Sequence, residues 1–560
     1  MVLIVKIHIA YYFLKHFKEN QLKYDVIIVG AGMAGLTAGS FTSDAGYSVL
    51  ICEKENRVGG LINSFNKNGF IFDSGIRAIE NSGIVFPMLK SLGIEIEFVK
   101  SQVSLGIENK VINIISEENL EDYHKLLSSF FPENKNDIEK IIHHIRTVMK
   151  YMHVLYGIDN PIFKDLKNDR QYLFRVFLPW LGKFLFTIGK INRMNMPVNK
   201  HLRMFTENQS LIDIIGQHFF KETPSFFAMS YFSLYLDYNY PLGGTGMIPR
   251  KLEKYCTDRK ADIAKNTKIV TINPDNHSVT DEQGKVYFFK KLIWASDQKT
   301  MYRCMDQSNI TNPKTKQKFM SRKNKIKNKM GGDSVFTIYL SVDLPPSYFS
   351  EISKGHFFYS PLKMGLGKKI YSDLDQLLAL QSRYPTIENL EKIKKWISKY
   401  ICYNTFEISI PVLKDKNLAP EGKTGLIISV LFDYHLFEIL DEQGWYNEIK
   451  IHIEKLIIDL LSKTIYPNLC TAILDSFSFS PLSIARKTGS SEGAITGWAF
   501  TNKGMPAINK IQNVSRSVLT PINDIFQAGQ WTYSPSGLPI AILTGKLAAN
   551  RVISELKKKT

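Results

Sequence analysis

The sequence predicts an α/β fold, a parallel sheet wrapped by helices. Two observations carry this. A β-branched run, Tyr24-Asp25-Val26-Ile27-Ile28-Val29, leads straight into Gly30-Ala31-Gly32-Met33-Ala34-Gly35, and a second run, Ser48-Val49-Leu50-Ile51-Cys52, ends at Glu53. The chain of 560 residues also exceeds what one core usually serves, so two or more packed domains are expected.

The first run reads as a buried parallel strand. Gly30 allows the tight turn after it, Gly32 lets backbone approach a pyrophosphate, and Gly35 lets the next helix pack on the strand. That helix offers unpaired N–H groups to phosphate. Glu53 stands at the spacing of an acid that holds ribose hydroxyls, and its charge repels a 2′-phosphate, which favours FAD or NAD over NADP.

Farther on, a helix is expected through Leu252 and Tyr255. Residues 268–272 and 285–288 flank the turn-rich Asn273-Pro274-Asp275-Asn276-His277 as a hairpin, and residues 292–297 read as a separate strand returning to the sheet. Near the end, residues 524–528 form a strand ending at Gly529. Ser536-Gly537-Leu538-Pro539 then opens a helix, with proline in the first turn where its missing N–H costs nothing. In the middle region, Ile138, Ile141, Ile142, Ile145, Met149 and Met152 fall at helical spacing, with His143 and His144 beside the stripe in structural or solvated roles. Residues 334–342 read as a strand lining a cavity.

A formal charge of +18 draws anions to the surface without choosing among cofactor phosphate, nucleic acid and lipid. The basic run from Lys314 to Lys329 reads as a solvated loop, with anionic lipid as its functional partner; no recognition motif supports nucleic acid. Five scattered cysteines suggest no disulfide framework and no metal site, which suits a cytoplasmic protein. Residues 1–18 are apolar but broken by Lys6, His8, Lys15, His16 and Lys18, a frayed leader or an interfacial anchor rather than a span. Residues 173–186 read as a helix pair dipping into one leaflet from the cytoplasmic face, or as an ordinary buried segment.

Beyond Glu53 come Gly59-Gly60, then Gly69-Phe70-Ile71-Phe72-Asp73-Ser74-Gly75, and much later Tyr240-Pro241-Leu242-Gly243-Gly244. This order of motifs resembles the flavin-containing amine oxidase superfamily and, within it, the phytoene desaturase, carotenoid isomerase and retinol saturase family. The resemblance implies a Rossmann-like FAD-binding domain of the two-dinucleotide-binding-domain, GR2 type, with an inserted α+β substrate domain of helices on an antiparallel sheet. The FAD part would span residues 24–101, 241–300 and 521–560, the substrate part 102–240 and 301–520, with 1–23 as an extension. It further implies FAD contacts at Gly30, Gly32, Ala34, Gly35, Glu53, Lys54, Gly59 and Gly60, at Val270 through backbone groups, and at Gly529, Gln530, Gly537 and Leu538. Leu61 stands where members often carry Arg or Lys, and Gln530 replaces a common acid.

The resemblance points to a hydride exchange at flavin N5 with a polyene or other apolar isoprenoid substrate. The flavin carries that chemistry, so no protein nucleophile is required. Arg77 and Arg486 are candidate active-site cations, and Trp531 and Tyr533 candidate flavin-facing rings. An amine oxidase is the nearest alternative. A prenyl-binding protein like the Rab GDP-dissociation inhibitors is the alternative without catalysis.

Overall fold

The computed structural model describes residues 22–558. Its first seven-stranded sheet runs β10 (Asp262–Ala264), β2 (Val49–Cys52), β1 (Leu22–Val29), β13 (Val286–Trp294), β12 (Ser278–Asp281) and β11 (Ile269–Asn273), with β19 (Ile525–Gln527) beside β13. β1 lies parallel to β2 and β13, and its last four residues are buried, as a strand covered on both faces requires. Helix Met33–Asp44 packs on this sheet and against helix Leu538–Lys557. The two helices touch closely at Gly545, where a Cβ would stand 2.4 Å from the Ala34 carbonyl oxygen.

The second seven-stranded sheet runs β18 (Ile473–Phe479), β14 (Ser334–Val342), β17 (Thr424–Phe432), β16 (Phe406–Ser409), β15 (His356–Ser360), β7 (Val103–Ile107) and β8 (Lys110–Ile114). Alternation along β14 assigns its faces. Phe336, Ile338 and Leu340 join a core with Ile393 and Ile397 of helix Ile387–Tyr403 and with Ile449 and Ile453 of helix Tyr446–Thr464. Thr337 and Tyr339 point the other way, toward Arg77 and Phe72. A hairpin of β3 (Ser64–Lys67) and β4 (Phe70–Asp73) and a three-stranded sheet of β5 (Ile79–Glu80), β9 (Tyr238–Pro241) and β6 (Phe98–Lys100) lie between.

Several expectations need correction. The hairpin partner of β11 is β12, and residues 286–294 form one strand that is antiparallel to β12 at its start and parallel to β19 at its end. The second sheet is antiparallel except where β15 runs parallel to β7. The basic run is a helix, Pro313–Lys327, because the Asn312 side chain accepts the Thr315 N–H and Phe319 and Ile326 bury one stripe. Residues 173–192 are one continuous helical stretch, a π turn Leu173–Phe177 followed by helix Leu178–Asn192, instead of a pair. Leu22 and Lys23 already belong to β1, while the anchor reading of the leader falls outside the described residues. Among the described residues no helix is long and apolar enough to cross a membrane.

Candidate active site

The C-terminal ends of β1, β2, β13 and β19 converge on one region. Gly30 takes φ +103°, and a Cβ there would press on the Ala295 carbonyl at 2.9 Å; at Gly35 one would sit 1.9 Å from the Gly30 carbonyl. Only glycine lets this turn close. Gly32, the N-cap of helix Met33–Asp44, has ordinary backbone angles, yet nothing lies within 4 Å of where its Cβ would be. The helix therefore opens with no side-chain cap onto free space, its first N–H groups available to an anion.

Glu53 closes one side of that space. Its carboxylate accepts the Ala31 N–H at 2.8 Å and the Glu55 N–H at 3.0 Å, while burial raises its pKa against the pull of those two donors. Gly59 donates to the Ala31 carbonyl at 2.8 Å, which lays Gly59 and Gly60 beside Gly32. Ala34 is buried between Gly529 and Gly545. Val270 is the extra residue of a bulge, since Ile269 pairs with Asp281 and Thr271 with Thr280, and it is 38% exposed. Its backbone groups stand free of the ladder.

From the other end of the chain, Gly529 donates to Thr544 Oγ1 at 2.9 Å and Gln530 Nε2 to the Ala494 carbonyl at 3.4 Å. Gly537 caps helix Leu538–Lys557 without a side-chain bond, and with Pro539 as the second helical residue, the N–H groups of Leu538 and Ile540 find no partner in that first turn among the described residues. These residues fit a dinucleotide flavin. The open front of Gly32 would take the pyrophosphate, Glu53 the ribose, the Val270 bulge the adenine, and the helix at Gly537 the electron-rich end of the ring.

Not every candidate belongs here. Lys54 Nζ reaches across to the Arg486 carbonyl at 3.3 Å and to Glu55 at 3.4 Å, a tether between the two halves. Arg486 itself is 58% exposed and paired with Asp441 at 2.5 Å on the surface, so it is no active-site cation. Trp531 is core: its ring packs edge-on at 4.9 Å against Trp498, whose Nε1 donates to the Trp531 carbonyl. Tyr533 is buried near Tyr156.

Arg77 sits in a polar cluster under the second sheet. It donates to Ser429 Oγ at 2.6 Å and pairs with Glu407 at 3.3 Å, and His356 Nε2 lies 3.2 Å from the other Glu407 oxygen. Burial raises the Glu407 pKa, but Arg77 and then His356 overcome it and hold the carboxyl at about 2. Lys414 donates to the Arg77 carbonyl at 2.9 Å and to Ser409 Oγ at 2.8 Å; burial pushes its pKa down to about 8 despite Asp73 and Glu407. Asp73 ties the motifs together, accepting from Tyr240 at 2.6 Å and from the Thr245 N–H, Thr245 Oγ1 and Ser64 Oγ at 2.8 Å each.

Beyond this cluster lies an apolar cavity lined by Leu105, Ile145, Ile214, Phe219, Met229, Tyr231, Tyr235 and Phe358. His218 also lines it, 3.3 Å from the Tyr235 hydroxyl, and burial pushes its pKa down to about 4, so the ring is neutral at pH 7. The reading of the sequence missed Glu407, His356, Lys414 and His218, because their roles come from strands far apart in the chain. It also passed over Glu80, which follows Arg77 by three residues.

The model of the family described as flavin containing amine oxidoreductase matches residues 33–553. The chloroplastic prolycopene isomerase of Daucus carota is 23% identical over 95% of this chain and 80% of its own length. A 4,4'-diapophytoene desaturase (4,4'-diaponeurosporene-forming) of Staphylococcus aureus is 20% identical over 95% and 99%. Among solved structures, putrescine oxidase bound to putrescine aligns over 95% of this chain and 100% of its own, with a TM-score of 0.56 at 14% identity. Cyclohexylamine oxidase from Brevibacterium oxydans aligns over 95% and 99%, with a TM-score of 0.54 at 11% identity. At those identities the two structures speak to the fold alone.

Proposed function

This chain belongs to the flavin-containing amine oxidoreductase family, and from that premise we propose that it uses FAD to exchange hydride with a polyene or other isoprenoid substrate. The observation that carries this reading is the lining of the cavity. Its side chains are mostly aliphatic and aromatic, joined by the hydroxyls of Ser360 and Thr405 and by a histidine that is neutral at pH 7. A substrate ammonium would give up its hydration for a largely apolar lining, whereas a hydrocarbon loses nothing by leaving water. The two carotenoid-acting relatives that span 95% of the chain support the same substrate class.

When bound, FAD supplies a two-electron acceptor or donor at N5. The chain's own part is to hold it and to keep the reacting carbons dry. Gly32, Gly59 and Gly60 admit the pyrophosphate, Glu53 takes the ribose hydroxyls, and the free N–H groups behind Gly537 favour negative charge on the reduced ring. Entry of the substrate falls to the helix Leu178–Asn192 and the turn before it, where Phe174, Leu185 and Phe186 are 62%, 63% and 85% exposed beside Arg175 and Lys183. Such a surface suits shallow contact with one leaflet of a membrane.

The test is anaerobic incubation of the FAD-loaded protein with a carotene or another isoprenoid in detergent, following the flavin spectrum and the substrate isomers by chromatography. Flavin bleaching or conversion of a polyene is the expected result. Bleaching by simple amines with no polyene conversion, oxidised or reduced, would overturn it in favour of an amine oxidase.

A further inference from the structure

Glu80 is placed as no structural role requires. It forms β5 with Ile79 and lies opposite Tyr238 of β9 in register. On its other side, its Oε1 comes within 3.5 Å of where a Cβ on Gly537 would be, at the mouth of helix Leu538–Lys557. The phenols of Tyr156, Tyr231 and Tyr238 all feel its charge, and Tyr231 lines the apolar cavity. Glu80 therefore stands in the wall between the uncapped helix end and the cavity.

No hydrogen bond or ion pair among the described residues holds this carboxyl. The charge acting on it is that of Asp237 of the helix Tyr231–Asp237, a repulsive neighbour already accepting the Asn81 and Ser82 N–H groups at 2.9 and 3.1 Å. Lys100 of β6 faces Asp237. Burial, with Asp237 adding to it, pushes the Glu80 pKa up to about 7. Glu80 is half-buried, and an unpaired carboxyl in such surroundings costs stability that leucine would spare.

We propose that Glu80 is the proton-transfer carboxyl of this site, giving or taking a proton on the substrate carbon adjacent to the one that exchanges hydride. The inference rests on the proposed function. In the oxidative direction, one C–H bond breaks with its electron pair leaving as hydride to FAD. The neighbouring C–H bond breaks with its electrons staying to form the double bond, and its proton passes to the Glu80 carboxylate. The substrate loses two electrons and FAD gains them. In the reductive direction the protonated Glu80 delivers the proton and the reduced flavin the hydride.

The experiment compares wild type with Glu80→Gln and Glu80→Asp, each loaded with FAD. Two quantities are read: the flavin midpoint potential as a function of pH, which needs no substrate, and the single-turnover rate on a carotene in detergent. A carboxyl whose proton is linked to flavin reduction puts a break near pH 7 into the wild-type potential curve. Glu80→Gln removes that break, and its turnover falls about 100-fold or more, the usual contribution of a general acid or base. Glu80→Asp keeps a break and part of the rate, and it stands in should the glutamine variant fail to fold. A potential curve without the break in wild type, or with the same break in Glu80→Gln, overturns the proposal whatever the carotene does. A break that Glu80→Gln abolishes, in a protein that converts no polyene, sustains the carboxyl assignment and overturns the proposed substrate class instead. Turnover undiminished in Glu80→Gln sinks the proton-transfer role while leaving the polyene reading intact.

Discussion

Two glycines of the same turn, Gly32 and Gly35, make opposite demands, and this separates binding from folding at single residues. Gly35→Ala puts a methyl 1.9 Å from the Gly30 carbonyl, so the helix must lift from the strand. Overpacking of this kind costs about 1–3 kcal/mol, read as a lower urea midpoint even without cofactor. Gly32→Leu points its side chain into open space from φ −72°, ψ −179°, so the cofactor-free protein keeps its midpoint while FAD retention on a desalting column is lost. Equal loss of stability in both variants would refute the assignment of that space to the pyrophosphate. The Arg77–Glu407 pair makes a pH-dependent prediction. The Glu407 pKa is depressed, so its contribution is present above the unfolded value near 4.5 and is lost as pH falls toward 2. Glu407→Gln leaves Arg77 buried without its counter-charge and lowers stability by about 2–3 kcal/mol at pH 7. That is below the figure for fully buried pairs because the carboxylate keeps part of its surface. The gap between wild type and variant should narrow from pH 4.5 downward. The glycines and Glu53 were legible in the sequence because turn geometry and strand spacing dictate them locally. Arg77 was visible only as a candidate, since its closest side-chain partners come from β16 and β17, more than 300 residues away.

Among the elements, legibility followed how local the deciding force was. The strand Ser334–Val342 and the helix over Ile138 to Met152 could be read from their periods alone. β13 could not, because one strand of nine residues changes partners midway, and the polar Lys290-Lys291 in it imitates a break. Lys291 is in fact 1% exposed and paired with Asp524 and Glu555. The basic run looked like a loop by its charge, but burial of Phe319 and Ile326 on one face outweighs repulsion that water screens on the other. The helix Leu178–Asn192 has Ile191 as its single buried residue, and its exposed face carries Leu185 and Phe186. Removing both, as Leu185→Ser with Phe186→Ser, should leave the unfolding midpoint within about 0.5 kcal/mol of wild type, as for other surface changes. Co-sedimentation with phosphatidylglycerol-containing vesicles should fall several-fold. Unchanged sedimentation would place membrane contact elsewhere or nowhere.

For the whole molecule, the cofactor region is assembled from three distant stretches, so its integrity depends on how helices Met33–Asp44 and Leu538–Lys557 meet. Both open, uncapped, onto the same region, and the Thr544 hydroxyl holds Gly529 between them. Gly545 is where they touch. A Cβ there stands 2.4 Å from the Ala34 carbonyl and 3.1 Å from Thr37 Cβ, so Gly545→Val forces the two axes apart. The flavin would then lose the alignment of both helix ends at once, although residue 545 itself lies two turns inside its helix. Wild type should gain about 2.7 kcal/mol of stability at an FAD concentration one hundred times Kd, and the variant little or none. The second sheet has its own core on helices Ile387–Tyr403 and Tyr446–Thr464, so amide exchange in β14 and β17 of the cofactor-free variant should match wild type. Parallel loss of protection in β14 would mean that the two sheets unfold as one unit and that the helix contact supports the entire chain.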